Sequence, residues 1–392
     1  MLTAADGLAQ RAQGMLTERN ALCERFFAAE ATRLAEACRE MSRRFQQGGR
    51  LLAFGRGPYA TDAQHVSVEF VHPVIVGKRA LPALDLSMGF QPWLAAILRP
   101  HDIVMGFGPP EGDAEVAAAL HLASTRGAMT LSLPGNTGSY SFQAATSNPF
   151  RHQEMIEMLY HVLWETVHVF LERRGLGQDV GESAFLYPFL GETQDDTAGV
   201  VSEVAASIRA KAADDARLRQ QVSASQSEAI AATVMAIRRR VDAGGKLVIF
   251  GNGGSATDAN DWMIDCAMPP AGYRPIPAIS LSAEPANITA IANDLGPDVI
   301  FLRQLIAHAC PEDVAIGIST SGGSKNIVAA LAEARRRGML TVGLLGYDGG
   351  EIVRRQLVDR ALVVPSDYIP RIQEVQASVY HTVRELLEET HD

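Results

Sequence analysis

The sequence predicts two tandem α/β domains, each a doubly wound parallel sheet, and three observations carry that prediction. The first is an internal repeat. Gln46–Gly55 reads QQGGRLLAFG and Asp242–Gly251 reads DAGGKLVIFG, an offset of 196 residues. The same offset relates Thr61–Phe70 (TDAQHVSVEF) to Thr257–Cys266 (TDANDWMIDC). Arg126–Leu133 returns as Arg337–Leu344 at an offset of 211, and Arg151–His161 returns as Arg371–His381 at 220. Matches that keep one order while the offset only grows indicate duplication followed by insertion. The second observation is a set of short apolar runs next to glycines, as expected of strands buried on both faces. The third is that helical stretches separate these runs, and strands alternating with helices make a parallel sheet.

Taken in order, each copy opens with an amphipathic helical segment, Leu16–Gln47 and Val201–Ala243. Leu51–Phe54, Ile103–Phe107 and Met129–Leu133 are the strand candidates of the first copy. Leu247–Phe250, Ala315–Ile318 and Leu340–Leu344 are those of the second. A helix from Ile327 to Arg337 should stop at Gly338, because glycine takes the left-handed cap conformation without strain. Glu284–Val299 of the second copy has no counterpart in the first. The domains are placed at 1–178 and 201–392, joined by a linker at 179–200. The apolar stretch FLYPFL (Phe185–Leu190) in that linker is expected to pack against a domain.

A chain of 392 residues can build two domains with sizeable cores. Lys and Arg number 35 against 45 Asp and Glu, a net charge of −10 with no basic stripe. Such a chain does not neutralise a nucleic-acid backbone, so a nucleic-acid partner is not expected. No apolar run reaches the ~18 residues of a membrane-spanning helix, so no membrane partner is expected either. Cys23, Cys38, Cys266 and Cys310 show no CxxC spacing, which argues against a zinc ribbon or a disulfide framework. The first ten residues lack the pattern of a signal peptide, and a cytoplasmic location is expected.

An acidic chain that binds phosphate must do so locally. Gly251-Asn252-Gly253-Gly254-Ser255 follows a strand and precedes a helix, where glycines let backbone amides approach an anion. A sharper element is Ser319-Thr320-Ser321-Gly322-Gly323-Ser324, which ends another strand and opens a helix. Four hydroxyls around two glycines can surround a phosphate without a lysine, whereas an N-cap needs only one.

GNGGSATDA, followed in order by PAISLS, NDLG, ISTSGGSKNIVAAL, GLLGYDGG and RIQEVQ, resembles the phosphoheptose isomerase branch of the SIS (sugar isomerase) domain family. The likeness spans the second copy from about Ser227 onward and is weaker in the first. It implies a five-stranded parallel sheet between helices in each domain, and association through those helices. It also implies interconversion of aldose and ketose phosphates, with sedoheptulose 7-phosphate as substrate in this branch. The implied phosphate ligands are Asn252, Ser255, Ser319, Thr320, Ser321 and Ser324. The family's acid–base set is a His and a Glu four residues apart, with a Gln and a His eight apart on the C-terminal helix, and this set can hold zinc.

The two copies divide that inheritance. In the second, Asp261 and Asp265 stand where His and Glu are expected, beside Gln373 and His381. The first keeps His65, Glu69, Gln153 and His161, which are the candidate catalytic residues (Glu69, His161, His65) and the candidate zinc ligands. His65 and Glu69 share a helix face at i, i+4. The first copy has lost the phosphate loop, since Gly106–Asp113 reads GFGPPEGD, with Glu111 and Asp113 set to repel an anion. An aldose–ketose isomerase with a composite site is therefore expected, together with a dimer of two-domain chains. The alternatives are a site in the second copy built from Asp261, Asp265, Gln373 and His381, and a protein that binds a sugar phosphate without turnover.

Overall fold

A computed structural model describes residues 4–75, 77–135, 137–175 and 197–390. Most of the expected linker, including FLYPFL, lies outside the described residues. Among those described, no helix is long and apolar enough to cross a membrane.

One compact unit comprises Ala21–Ala216. Its strands are β1 (Leu51–Phe54), β2 (Ala83–Asp85), β3 (Ile103–Phe107), β4 (Met129–Leu133) and β5 (Tyr140–Ser141), in the order β2-β1-β3-β4-β5. Its helices include α2 (Tyr59–Val71), α3 (Phe90–Ile97), α4 (Ala114–Thr125) and α5 (Pro149–Gly175). Every residue of β1, β3 and β4 is buried, as the continuous apolar runs require.

The other unit comprises Met1–Asn20 and Arg217–Asp392. It carries β6 (Leu247–Phe250), β7 (Ala278–Ser280), β8 (Val314–Ser319), β9 (Leu340–Gly346) and β10 (Arg360–Val364) in the order β10-β9-β8-β6-β7. Read from the opposite edge, this is the order of the first sheet, and all strand pairs in both are parallel. The expected pair of five-stranded doubly wound sheets is therefore present. Its helices include α7 (Gly254–Ala267), α8 (Pro285–Leu295), α9 (Ile300–His308), α10 (Lys325–Arg336), α11 (Gly350–Arg354) and α12 (Ile369–Glu389). Gly338 takes a φ of 79° just past α10, as its cap role requires. Glu284–Val299, the stretch without a counterpart, supplies α8, none of whose residues is fully buried.

The compact units do not coincide with the spans 1–178 and 201–392. Helix α1 (Ala4–Gln46) places Leu22, Phe27 and Leu34 in the core of the unit Ala21–Ala216. Its earlier residues Ala12, Met15 and Leu16 belong to a core with β6, β8 and α12. Helix α6 (Thr197–Asp242) divides the other way, with Val201, Val204 and Ile208 in the first of these cores and Val222, Ile230 and Val234 in the second. A buried ion pair marks each exchange. Arg19 meets Glu385 at 2.8 Å in one unit, and Lys211 meets Glu165 in the other. Glu165 and Glu385 are 220 residues apart and occupy the same place in the repeat. The repeat marks where each copy begins, whereas packing decides which sheet each stretch of helix covers.

Candidate phosphate loop and acid–base clusters

In an open sheet of order 2-1-3-4-5, the crevice beyond the strand ends lies where the order reverses, between the first and third strands. In the unit with β6–β10 these are β6 and β8, and both glycine-rich elements emerge there. The turn after β6 is pinned by Ser282, whose Oγ accepts from Gly251 N at 3.2 Å and donates to Gly251 O at 2.9 Å. The serine loop follows β8. Gly322 has a φ of 61°, and a Cβ there would lie 2.2 Å from Gly349 O, so only glycine fits. The turn after β9 thus buttresses the loop, and Ile352 N donates to Gly322 O at 3.0 Å.

Ser324 is the N-cap of α10 by position, but its side chain makes no cap hydrogen bond. Ser319 Oγ accepts from Gly322 N at 3.1 Å and Ser321 Oγ accepts from Gly323 N at 3.2 Å. A hydroxyl that accepts still carries a proton to donate. Ser255 and Ser319 are buried, while Ser321 and Asn252 are exposed at the crevice. The structure therefore gathers the serines of the loop at a helix N-terminus, where donors and the helix dipole favour an anion.

At the corresponding place in the other unit, the helix start is met by side chains of the same unit. Asp113 Oδ1 accepts from Glu115 N at 2.8 Å and Val116 N at 3.0 Å, capping α4 where an anion would sit. Arg56 reaches Glu115 at 2.7 Å and Asp113 at 3.3 Å. In this copy a carboxylate thus takes backbone donors at the helix start.

That unit holds the first acid–base cluster. His65 and Glu69 on α2 meet His161 on α5, with ligand atoms all within 4.8 Å of one another and all three residues buried. His65 Nε2 is 3.9 Å from Glu69 Oε1, and the His65 and His161 rings meet edge to face at 5.2 Å. The distance suggests an ion pair, but burial opposes both charges. Burial, and then His161, hold His65 well below its usual pKa. Burial pushes Glu69 up to about 7, against the pull of His161 and with help from Glu165. Gln153, the fourth expected member, is buried on α5 but is engaged one turn earlier along α2. Its Nε2 donates to Asp62 Oδ2 at 3.1 Å and Pro58 O at 3.2 Å.

The second cluster lies on α7 and α12. His381 Nε2 lies 3.3 Å from Asp261 Oδ2 and 3.2 Å from Asp265 Oδ2, and Tyr380 donates its hydroxyl to Asp261 at 2.7 Å. Burial first, and then the Asp261 carboxylate, push Asp265 up to about 7 against the pull of His381. Gln373 is buried two turns before His381 on α12. This set brings its own basic group to its carboxylates, whereas the first set pairs two imidazoles with one carboxyl.

A carboxyl raised by burial makes stability depend on pH in a defined direction. Between about 4.5 and 7 the unfolded chain has released the Glu69 proton while the folded chain keeps it, so stability falls as pH rises through this window. The shift corresponds to roughly 3 kcal/mol. Relative to the parent, Glu69→Gln should therefore be more stable at pH 8 than at pH 5, as read from urea midpoints. A pH-independent difference would show that Glu69 is ionised in the fold.

A family model for the SIS domain matches residues 212–346. The chain is 40% identical over 190 residues to the phosphoheptose isomerase of Geobacter sp. (strain M21), covering 48% of this chain and 96% of that protein. The chain belongs to the SIS domain family. A second phosphoheptose isomerase, from Chlorobaculum tepidum, is 42% identical over 177 residues, which is 44% of this chain and 84% of that one. Two-unit likeness extends over the whole SIS chain at the level of fold. A putative tagatose-6-phosphate ketose/aldose isomerase from Clostridium novyi matches with a TM-score of 0.57 at 10% identity, covering 98% of this chain and 93% of its own. The C-terminal domain of glucosamine-fructose-6-phosphate aminotransferase from Francisella tularensis matches at 0.59 and 7%, covering 96% and 94%. Motif reading of the SIS chain missed Ser282, Tyr380 and Asn326, each of which meets its partner through the fold rather than through sequence proximity.

Proposed function

We propose that this SIS protein is an aldose–ketose isomerase acting on a sugar phosphate such as sedoheptulose 7-phosphate. The observation that supports it best is the loop Ser319–Ser324, whose serine hydroxyls stand at the start of α10 with Ser324 unused as a cap. Identity of 40% to a phosphoheptose isomerase supports the substrate class.

Isomerisation moves one proton between neighbouring carbons and one between their oxygens. A group that serves both as acceptor and donor works best near the operating pH. We assign this role to Glu69, raised to about 7, with His161 and His65 beside it. The same three residues fit a zinc ion. They offer two imidazoles and a carboxylate, and Glu69 Oε2 is buried with no hydrogen-bond partner among the described residues. Zinc held there would polarise a sugar carbonyl as a Lewis acid. A second reading, binding without turnover, is favoured by one observation: the unit with the phosphate loop has Asp261 and Asp265 already set against His381.

Sedoheptulose 7-phosphate at a hundredfold excess over its Kd should stabilise the parent by ~2.7 kcal/mol. Ser319→Ala/Ser321→Ala should lose that gain in thermal melts. Equal shifts in parent and variant would place the ligand elsewhere.

A further inference from the structure

One side-chain pair ties the two glycine-rich elements of the phosphate unit together. Asn252 Nδ2 donates to Asn326 Oδ1 at 2.9 Å, and Asn326 Nδ2 donates to Asn252 Oδ1 at 2.9 Å. Asn252 lies in the turn after β6 and Asn326 in the first turn of α10, where its Oδ1 also accepts from Ile327 N at 2.9 Å. Each amide group carries two N–H donors, and the reciprocal pair consumes one from each side. One N–H on each residue is left over for an acceptor.

The other unit keeps the tie but changes its chemistry. Offsets of 196 and 211 put Arg56 and Glu115 at the positions of Asn252 and Asn326. Arg56 and Glu115 also pair, at 2.7 Å, and Asp113 occupies the position of Ser324. An ionic tie sets a carboxylate beside the helix start, which opposes a phosphate there. An amide pair spans the same gap without a charge and retains its donors. Only the unit with the serine loop has the neutral version.

We propose that Asn326 is a positioning residue of the phosphate site. It orients the Asn252 amide and sets the spacing between the Gly251–Ser255 turn and the Ser319–Ser324 loop, so that both meet the anion already ordered. This rests on the loop being the phosphate site. Preorganised donors spare the ordering cost that binding otherwise meets.

Calorimetric titration of the full chain with sedoheptulose 7-phosphate tests it. Asn326→Ala should weaken binding about tenfold in the parent and less than about twofold in Asn252→Ala, since the partner is already gone. Asn326→Asp keeps an acceptor for Ile327 N, and serves if the alanine variant fails to fold. It should weaken binding at least as much, because it removes the donor to Asn252 and adds a charge. The melting temperature of the ligand-free protein should change little, which separates positioning from support of the helix. Unchanged affinity in Asn326→Ala, or equal losses in both backgrounds, overturns the proposal. Loss of binding in Ser319→Ala/Ser321→Ala with none in Asn326→Ala sinks this inference alone. Parent-like binding in the serine variant sinks the phosphate assignment, and this inference with it.

Discussion

Glu69→Gln is expected to keep ligand-induced stabilisation and to lose turnover by about 10²–10⁴-fold. Glutamine has nearly the shape of glutamate, and the site is 1% exposed, so packing changes little. What disappears is the capacity to take up and release a proton near neutrality. His161→Ala should behave alike, since His161 stands against both His65 and Glu69. Asp265→Asn is the control and should retain activity. If Asp265→Asn abolishes isomerisation while Glu69→Gln leaves it intact, the chemistry belongs to Asp261, Asp265, Gln373 and His381. A parent that turns over no ketose or aldose phosphate, with or without added zinc, would favour the binding protein instead.

The second large effect concerns folding. Arg19→Ala should cost about 3–5 kcal/mol, because it leaves the buried Glu385 carboxylate without its guanidinium. Arg19 is 1% exposed, donates to Glu385 at 2.8 Å and also donates to Met15 O at 3.0 Å. Arg19→Met/Glu385→Leu should recover most of the loss, since apolar groups can replace a buried pair at little cost. Urea unfolding followed by tryptophan fluorescence reads this, and a change below about 1 kcal/mol in Arg19→Ala would show that the pair is not buried in solution. Lys211→Ala is the corresponding change in the other unit and should act in the same direction.

Much of this was legible in the residues themselves. The repeat and the apolar runs located the three inner strands of each sheet, because a strand buried on both faces has to be continuously apolar. The edge strands β2, β5, β7 and β10 escaped notice. The first three are two or three residues long and partly exposed, and β10 is longer but has only Leu362 and Val364 buried, so none carries such a run. The serine loop was legible because its hydroxyls are contiguous in sequence. His65 and Glu69 stood out through the family resemblance, and helix geometry added that i and i+4 share one face.

Sequence by itself thus determined what is local or periodic: the internal repeat of motifs, the inner strands, the serine loop and the division of candidate site residues between the copies. Only the tertiary structure decided what depends on distant residues meeting. It turned Gln153 toward Asp62, set His381 between Asp261 and Asp265, and paired Asn252 with Asn326 across 74 residues. It also raised Glu69 to about 7, because a carboxyl's proton affinity follows its burial rather than its place in the chain. The exchange of helix ends belongs to the same class. An amphipathic helix shows in its sequence that one face must be covered, but only packing against the core of one β-sheet or the other selects the cover.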